Sequence, residues 1–220
     1  MALFPRLPRL LPDPSTATSQ PSSRTVVAVH GTLGEPWAFR HLARQLEQRG
    51  IALIAPAVSG RAAGPLHDST VQVAEVIRAA CQQSQRVDVV GHSAGALVAL
   101  RALNALNELH DASPDASPDP LARVGTLVGV GASWRGTAHR AWYRPDGVVR
   151  RIFGEAFVEL EDVAATPPEV PGVHIVSVYS TADRVVPAWS ATLGETIALR
   201  GLSHRALLRR TDSILAALGL

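Results

Sequence analysis

The chain contains no lysine: all 21 of its basic residues are arginine, set against 19 carboxylates for a net charge of +2. Guanidinium is the better bidentate ligand for phosphate, but the arginines are scattered, with doublets only at Arg150–Arg151 and Arg209–Arg210. No basic stripe marks a nucleic-acid surface, and the arginine excess reads as codon bias in a GC-rich genome. Cysteine is almost as scarce. The sole one, Cys81, excludes an intrachain disulfide and a Cys-rich metal cluster, and its helical setting reads as a buried, inert thiol. Long apolar runs are also missing; none approaches the ~18 residues of a spanning helix. Prolines at positions 5, 8, 12, 14 and 21 break every early stretch that could form the apolar centre of a secretion leader. Residues 1–24 therefore read as a flexible Pro-rich tail, and the expected location is cytoplasmic.

What remains is a chain of 220 residues, 46% apolar and 18% charged. That is long enough for one domain burying roughly 70% of the surface its unfolded form exposes, here placed over residues 25–220. Thr25–Val29, Ile51–Ala55, Val87–Val90, Val124–Val130, Val173–Tyr179 and Thr196–Leu199 are short, mostly continuous apolar runs. Such runs predict strands buried on both faces, as in a parallel sheet. Helical patterns lie between most of them. Trp37–Arg49 has Pro36 at its start and Gly50 at its end, the usual asymmetry of helix termini; Val71–Ser84, Ala94–His110 and Arg205–Leu218 complete the set. Alternating strands and helices predict an α/β fold, a mostly parallel sheet of about six strands flanked by helices.

Two stretches interrupt this alternation. Asp111–Pro120 reads DASPDASPDP, a solvated loop. Residues 135–172 are weakly patterned, and five of the chain's ten aromatics fall between Trp134 and Phe157. That segment is either a cover over an apolar site or a plug under a long loop.

The strongest local signal is Gly91-His92-Ser93-Ala94-Gly95. A Gly-x-Ser-x-Gly string is short, so its setting matters. A predicted strand runs directly into it and a helical pattern opens directly after, the strand–turn–helix context of a nucleophile elbow. The flanking glycines suit elements that approach too closely for side chains. A serine hydroxyl needs a base and an orienting carboxylate to attack at neutral pH, and on sheets of this kind these follow in the order Ser, Asp or Glu, His. Asp183 lies in the loop after the strand Val173–Tyr179. His204, the only histidine beyond it, lies one strand later. His139 and His174 precede the acid, and Glu159, Glu161 and Asp162 lie in the irregular segment, so the expected catalytic set is Ser93, Asp183 and His204. Asp88, inside a predicted strand, suits a structural role.

Acyl transfer also requires donors aimed at a developing oxyanion. The backbone N–H of Ala94 is one candidate. The other is the N–H of Thr32 in His30-Gly31-Thr32-Leu33-Gly34, whose own hydroxyl could assist. His30 is expected to hold that loop in shape. The loop lacks the Gly-x-Gly-x-x-Gly spacing and the Gly-Lys-Ser/Thr ending of a phosphate cradle.

Residues 25–218 resemble a bacterial lipase of the small α/β-hydrolase type, similar to the class 2 triacylglycerol lipases and the minimal lidless lipases of bacilli. The stretches VVAVHGTLGEPWAFRHLARQLEQRGI, RVDVVGHSAGALVAL, LVGVGASWRGT, VYSTADRVVP and LSHRALL carry the likeness. The resemblance implies the α/β-hydrolase fold, ester hydrolysis, and the roles just given to Ser93, Asp183, His204, Thr32 and Ala94. Ala96 stands where many such lipases carry a further glycine, and the aromatic segment is longer than in the lidless members.

Three readings follow. In the first, the chain is a serine esterase or lipase acting on a small-molecule or lipid ester, in transient contact with a lipid interface, with Leu33, Trp37, Trp134, Trp142, Phe153, Phe157, Val186 and Trp189 as acyl-site walls. In the second, the same triad serves a thioester or an acyl transfer. In the third, a hydrolase fold without catalysis binds an apolar ligand or partner; its expected mark, a missing triad or oxyanion residue, is not seen. No cofactor is expected, and no His-Glu-x-x-His or comparable spacing suggests a metal.

Overall fold

Six of the apolar runs pair into one sheet: β1 (Thr25–Val29), β2 (Ala52–Ile54), β3 (Val87–His92), β4 (Val124–Val130), β5 (His174–Ser180) and β6 (Glu195–Leu199). This is a computed structural model of the chain, and it describes residues 23–112, 119–136, 155–156, 159, 168 and 170–220. The strand order is β2-β1-β3-β4-β5-β6, and every adjacent pair is parallel. The helices are α1 (Arg40–Glu47), α2 (Leu66–Gln83), α3 (Ala94–Ala112), the short α4 (Ala188–Ala191) and α5 (Thr211–Ala217).

Alternation along the strands divides the core in two. Val27, Val29, Val87, Val89, Leu127 and Ile175 face α2 and α3, whose Val73, Ile77, Leu97, Leu100 and Leu103 close that side. Val26, Ala28, Val90, Val128, Val130, Val176 and Val178 face α1 and α5, against Leu42, Leu46, Ile214 and Leu215. Both faces of the central strands are covered, so their sequences read as unbroken apolar runs. The edge strands differ. In β6, Glu195, Thr196 and Ala198 are exposed, since an edge has a neighbour on one side only; expectation of full burial over Thr196–Leu199 is corrected there.

Two predicted helices break into segments. A 3₁₀ turn, Pro36–Phe39, precedes α1, and a 3₁₀ segment, His204–Arg209, precedes α5. Arg210 separates the latter pair with φ −85° and ψ 59°, outside the helical region.

A parallel sheet gathers the segments that follow β1, β3, β4, β5 and β6 along one edge. The chain leaves β1 for β2 on one side and later returns to β3 on the other, so strand order reverses between β1 and β3. Open α/β sheets place their sites in the crevice at such a point. Among the described residues, no helix is long and apolar enough to cross a membrane. Most of the segment 135–172 and of the tail 1–24 lies outside the described residues, as do 113–118 of the DASPDASPDP loop and Trp142, Phe153 and Phe157.

Candidate active site

Ser93 sits between the last residue of β3 and the first of α3, with φ of 54°. A non-glycine residue held in the left-handed region stores local strain, and the surrounding backbone explains how it is held. The Ser93 N–H donates to the Val130 carbonyl (3.1 Å), and its own carbonyl accepts from Ala96 (3.2 Å) and Ser133 (3.3 Å). The flanking glycines are demanded by contact. A Cβ on Gly91 would lie 2.2 Å from the Ala96 Cα, and one on Gly95 would lie 2.3 Å from the Val29 carbonyl oxygen. The first turn of α3 is thus pressed against β1 and β3, and Ser93 takes the bend.

The loop after β1 lies beside this bend: a Cβ on Gly31 would come within 2.8 Å of the Ser93 Cβ. His30 is 2% exposed and braces the loop. Its Nδ1 is 3.0 Å from the Gly31 carbonyl and its Nε2 is 3.3 Å from the Val58 N–H, which fixes the neutral Nδ1–H tautomer, since a carbonyl only accepts and Val58 N–H only donates. Burial lowers the His30 pKa, outweighing the Gly31 bond. Further along, Leu33 takes φ of 58°, donates to the Arg61 carbonyl (2.8 Å) and accepts from the Arg61 guanidinium (2.6 Å). Between them, the Thr32 hydroxyl is buried without a hydrogen-bond partner among the described residues. Ala94, 1% exposed, opens α3, where a backbone N–H has no partner within the helix.

Asp183 and His204 meet at the same edge of the sheet. The His204 Nδ1–H donates to Asp183 Oδ2 at 2.7 Å, while Oδ1 accepts from the N–H groups of Val185 (2.8 Å) and Val186 (3.1 Å). The Asp183 side chain is 1% exposed and that of His204 11%. Burial pushes the Asp183 carboxyl upward, but the bond from His204, its charge and the two backbone donors together bring it below the ordinary carboxylate value. With the proton on Nδ1, the Nε2 lone pair of His204 is free to accept. His204 also stacks obliquely on His92, the residue immediately before Ser93, with ring centroids 4.7 Å apart.

The expected acyl-site walls separate. Leu33 (41% exposed), Trp37 (42%) and Trp189 (56%) present apolar surface to solvent, and Arg40 lies over the Trp37 ring at 5.2 Å. Val186 is fully buried beside Asp183. Trp134 is also fully buried, its Nε1–H donates to Ser177 Oγ at 3.0 Å, and it packs in the core beneath β4 and β5. Asp88 is buried in β3 and accepts from Arg24 (2.6 Å), Arg86 (3.1 Å) and the Thr126 N–H (2.9 Å), a structural knot. His92 is the residue that sequence reasoning passed over. Its place inside the Gly-x-Ser-x-Gly string was visible, but its contact with a residue 112 positions away was not. Among the described residues, no group of three or more His, Cys, Asp or Glu side chains is placed to hold a metal.

Solved structures share this fold at low identity. A lipase from Bacillus licheniformis, BlEst2, is 16% identical with a TM-score of 0.66, covering 94% of this chain and 94% of its own. A metagenomic carboxyl esterase is 17% identical with a TM-score of 0.65, over 90% of this chain and 77% of its own. A chain from the metagenome-derived lipolytic enzymes LipS and LipT is 16% identical with a TM-score of 0.62, over 90% and 94%. No curated protein matches the sequence. A strained serine after the third strand, a His–Asp pair after the last two, and the sheet that gathers them accord with the match of residues 26–217 to the alpha/beta hydrolase family, and the chain belongs to that family.

Proposed function

We propose that the protein is a serine esterase that cleaves carboxylic esters through an acyl-enzyme, with Ser93 as nucleophile, His204 as base and Asp183 as the orienting carboxylate. The single observation that carries this reading is the 2.7 Å His204–Asp183 bond at the sheet edge that also bears Ser93 on its strained turn. Asp183 keeps the imidazole proton on Nδ1, so Nε2 can take the hydroxyl proton as Ser93 attacks the ester carbonyl. The resulting imidazolium is stabilised by the carboxylate, then protonates the leaving alcohol. Water, deprotonated by the same Nε2, releases the acid. The N–H groups of Ala94 and Thr32 serve the oxyanion in this scheme, a role worth roughly 3–4 kcal/mol per donor. Exposed Leu33, Trp37 and Trp189 support an apolar acyl group and contact with a lipid interface.

The test is hydrolysis of p-nitrophenyl esters from acetate to palmitate by wild type and Ser93→Ala. Turnover that vanishes in the variant while its melting temperature stays within a few degrees supports the reading. A rise in rate with chain length makes the enzyme lipase-like, and a short-chain optimum makes it a carboxylesterase. Turnover retained by Ser93→Ala removes Ser93 from the mechanism.

A further inference from the structure

His92 occupies a position for which the elbow itself sets no demand. The glycines at 91 and 95 relieve the close approach and Ser93 carries the hydroxyl, so residue 92 only has to end a strand. Yet its ring lies against the His204 ring, centroids 4.7 Å apart and planes inclined by 38°. Its Nε2 is 3.5 Å from the His204 carbonyl oxygen, a long hydrogen bond. A carbonyl only accepts, so His92 makes that bond with a proton on Nε2. Burial first, and then the neighbouring His204, push the His92 pKa down to about 3. The ring is therefore neutral at working pH; the charged groups acting on it besides His204 are Asp183 and Arg205.

We infer that His92 is a positioning residue for His204, packing on the face of its imidazole and holding its backbone carbonyl. This rests on the reading of Ser93, His204 and Asp183 as the reacting set. The Asp183 bond leaves one motion of the His204 ring unopposed. One hydrogen bond at Nδ1 fixes an edge of the imidazole but permits rotation about the Nδ1–Oδ2 line, and that rotation moves Nε2. A second ring against the face opposes the rotation, and the carbonyl contact ties down the backbone from which the imidazole hangs. Because His92 is uncharged, it adds no repulsion when His204 becomes imidazolium during turnover. A base displaced by about 1 Å can lose up to a hundredfold in rate, so this support bears on kcat rather than on substrate binding.

The experiment compares His92→Ala, His92→Phe and His204→Ala with wild type, reading kcat and KM on the p-nitrophenyl ester that wild type turns over fastest, with melting temperature alongside. His92→Ala is expected to lower kcat about tenfold with KM changed less than about twofold, the signature of a lost transition-state contribution. His92→Phe keeps an aromatic face but not the N–H, and its kcat falls between the two; it also decides the matter if the alanine variant does not fold. The His204 Nδ1–H proton resonance, downfield in wild type, broadens in His92→Ala. Wild-type kcat in both His92 variants, or a loss confined to KM, overturns the inference while an inactive His204→Ala leaves the triad reading standing. Full activity in His204→Ala overturns the triad reading itself.

Discussion

Both oxygens of the Asp183 carboxylate are engaged: Oδ2 takes the His204 Nδ1–H at 2.7 Å, and Oδ1 takes the backbone N–H groups of Val185 and Val186. Asn at position 183 keeps the shape but not the acceptor set. With its oxygen turned to the two N–H groups, its NH₂ faces His204 and favours the tautomer with the proton on Nε2, which cannot accept from a serine. Asp183→Asn is expected to reduce kcat by roughly three to four orders of magnitude, as such tautomer reversals do. Steady-state kinetics on a p-nitrophenyl ester check this; a loss of less than tenfold would mean the acid is misassigned.

Asp88 is the contrasting carboxylate. It lies five residues before Ser93 along β3, roughly 16 Å away by strand rise. There it joins Arg24 before β1, Arg86 before its own strand and Thr126 in β4. Arg24 reaches on to the Leu218 carbonyl just beyond α5. Removing the charge leaves two guanidinium groups without their anion. Asp88→Asn is expected to cost about 3 kcal/mol in urea unfolding while the folded enzyme keeps its kcat. Equal losses of activity at positions 88 and 183 would contradict the separation of roles.

Those two aspartates show how far the sequence could be read. Val26–Val29 and Val87–Val90 are apolar at every position except Asp88 because sheet neighbours and helices cover both faces; that pattern is local, so the central strands and their order as strand–helix repeats were legible. The positions of Ser93, Asp183 and His204 were legible as well, each following the end of a strand. Sidedness was harder. Trp134 and Trp189 look alike in sequence, yet one is buried with its N–H on Ser177 and the other is over half exposed. What separates them is packing between β4 and β5, which no periodicity within a loop records. Likewise the exposure of β6 follows from its place at the sheet edge, a fact of topology rather than of its own residues.

Cys81 carries a chemical prediction. It is 5% exposed in the core beside α3. Burial first, and Asp119 in addition, raise the thiol against the opposing pull of Arg123, to about 11. A thiol in that state has almost no thiolate at pH 8, and the thiolate is the reactive form. The native protein is expected to leave a disulfide reagent such as DTNB unreacted over minutes, with one equivalent released after denaturation in guanidinium. Rapid labelling of the native protein would mean that α2 opens readily.

Imidazoles whose pKa is lowered by the fold, buried His30 and half-buried His92 among them, make stability depend on pH. His30 and His92 both have pKa values lowered in the fold from the ordinary 6.5, chiefly by burial, His92 to about 3. Below pH 6.5 the unfolded chain binds protons at these positions that the folded chain refuses, so falling pH favours unfolding. Their contribution is complete above about pH 6.5 and declines as pH falls from there toward the folded values. Asp183 acts in the same direction but later, because its depressed pKa withholds protons only below the ordinary carboxylate range. Urea midpoints are therefore expected to fall already between pH 7 and pH 5, before any carboxylate titrates appreciably. His92→Phe removes one of these groups and should flatten that part of the curve relative to wild type; His41, whose pKa is also lowered, stays in both. A midpoint as steep in His92→Phe as in wild type would place the proton uptake elsewhere, and one flat in wild type would mean that His30 and His92 accept protons in the folded state.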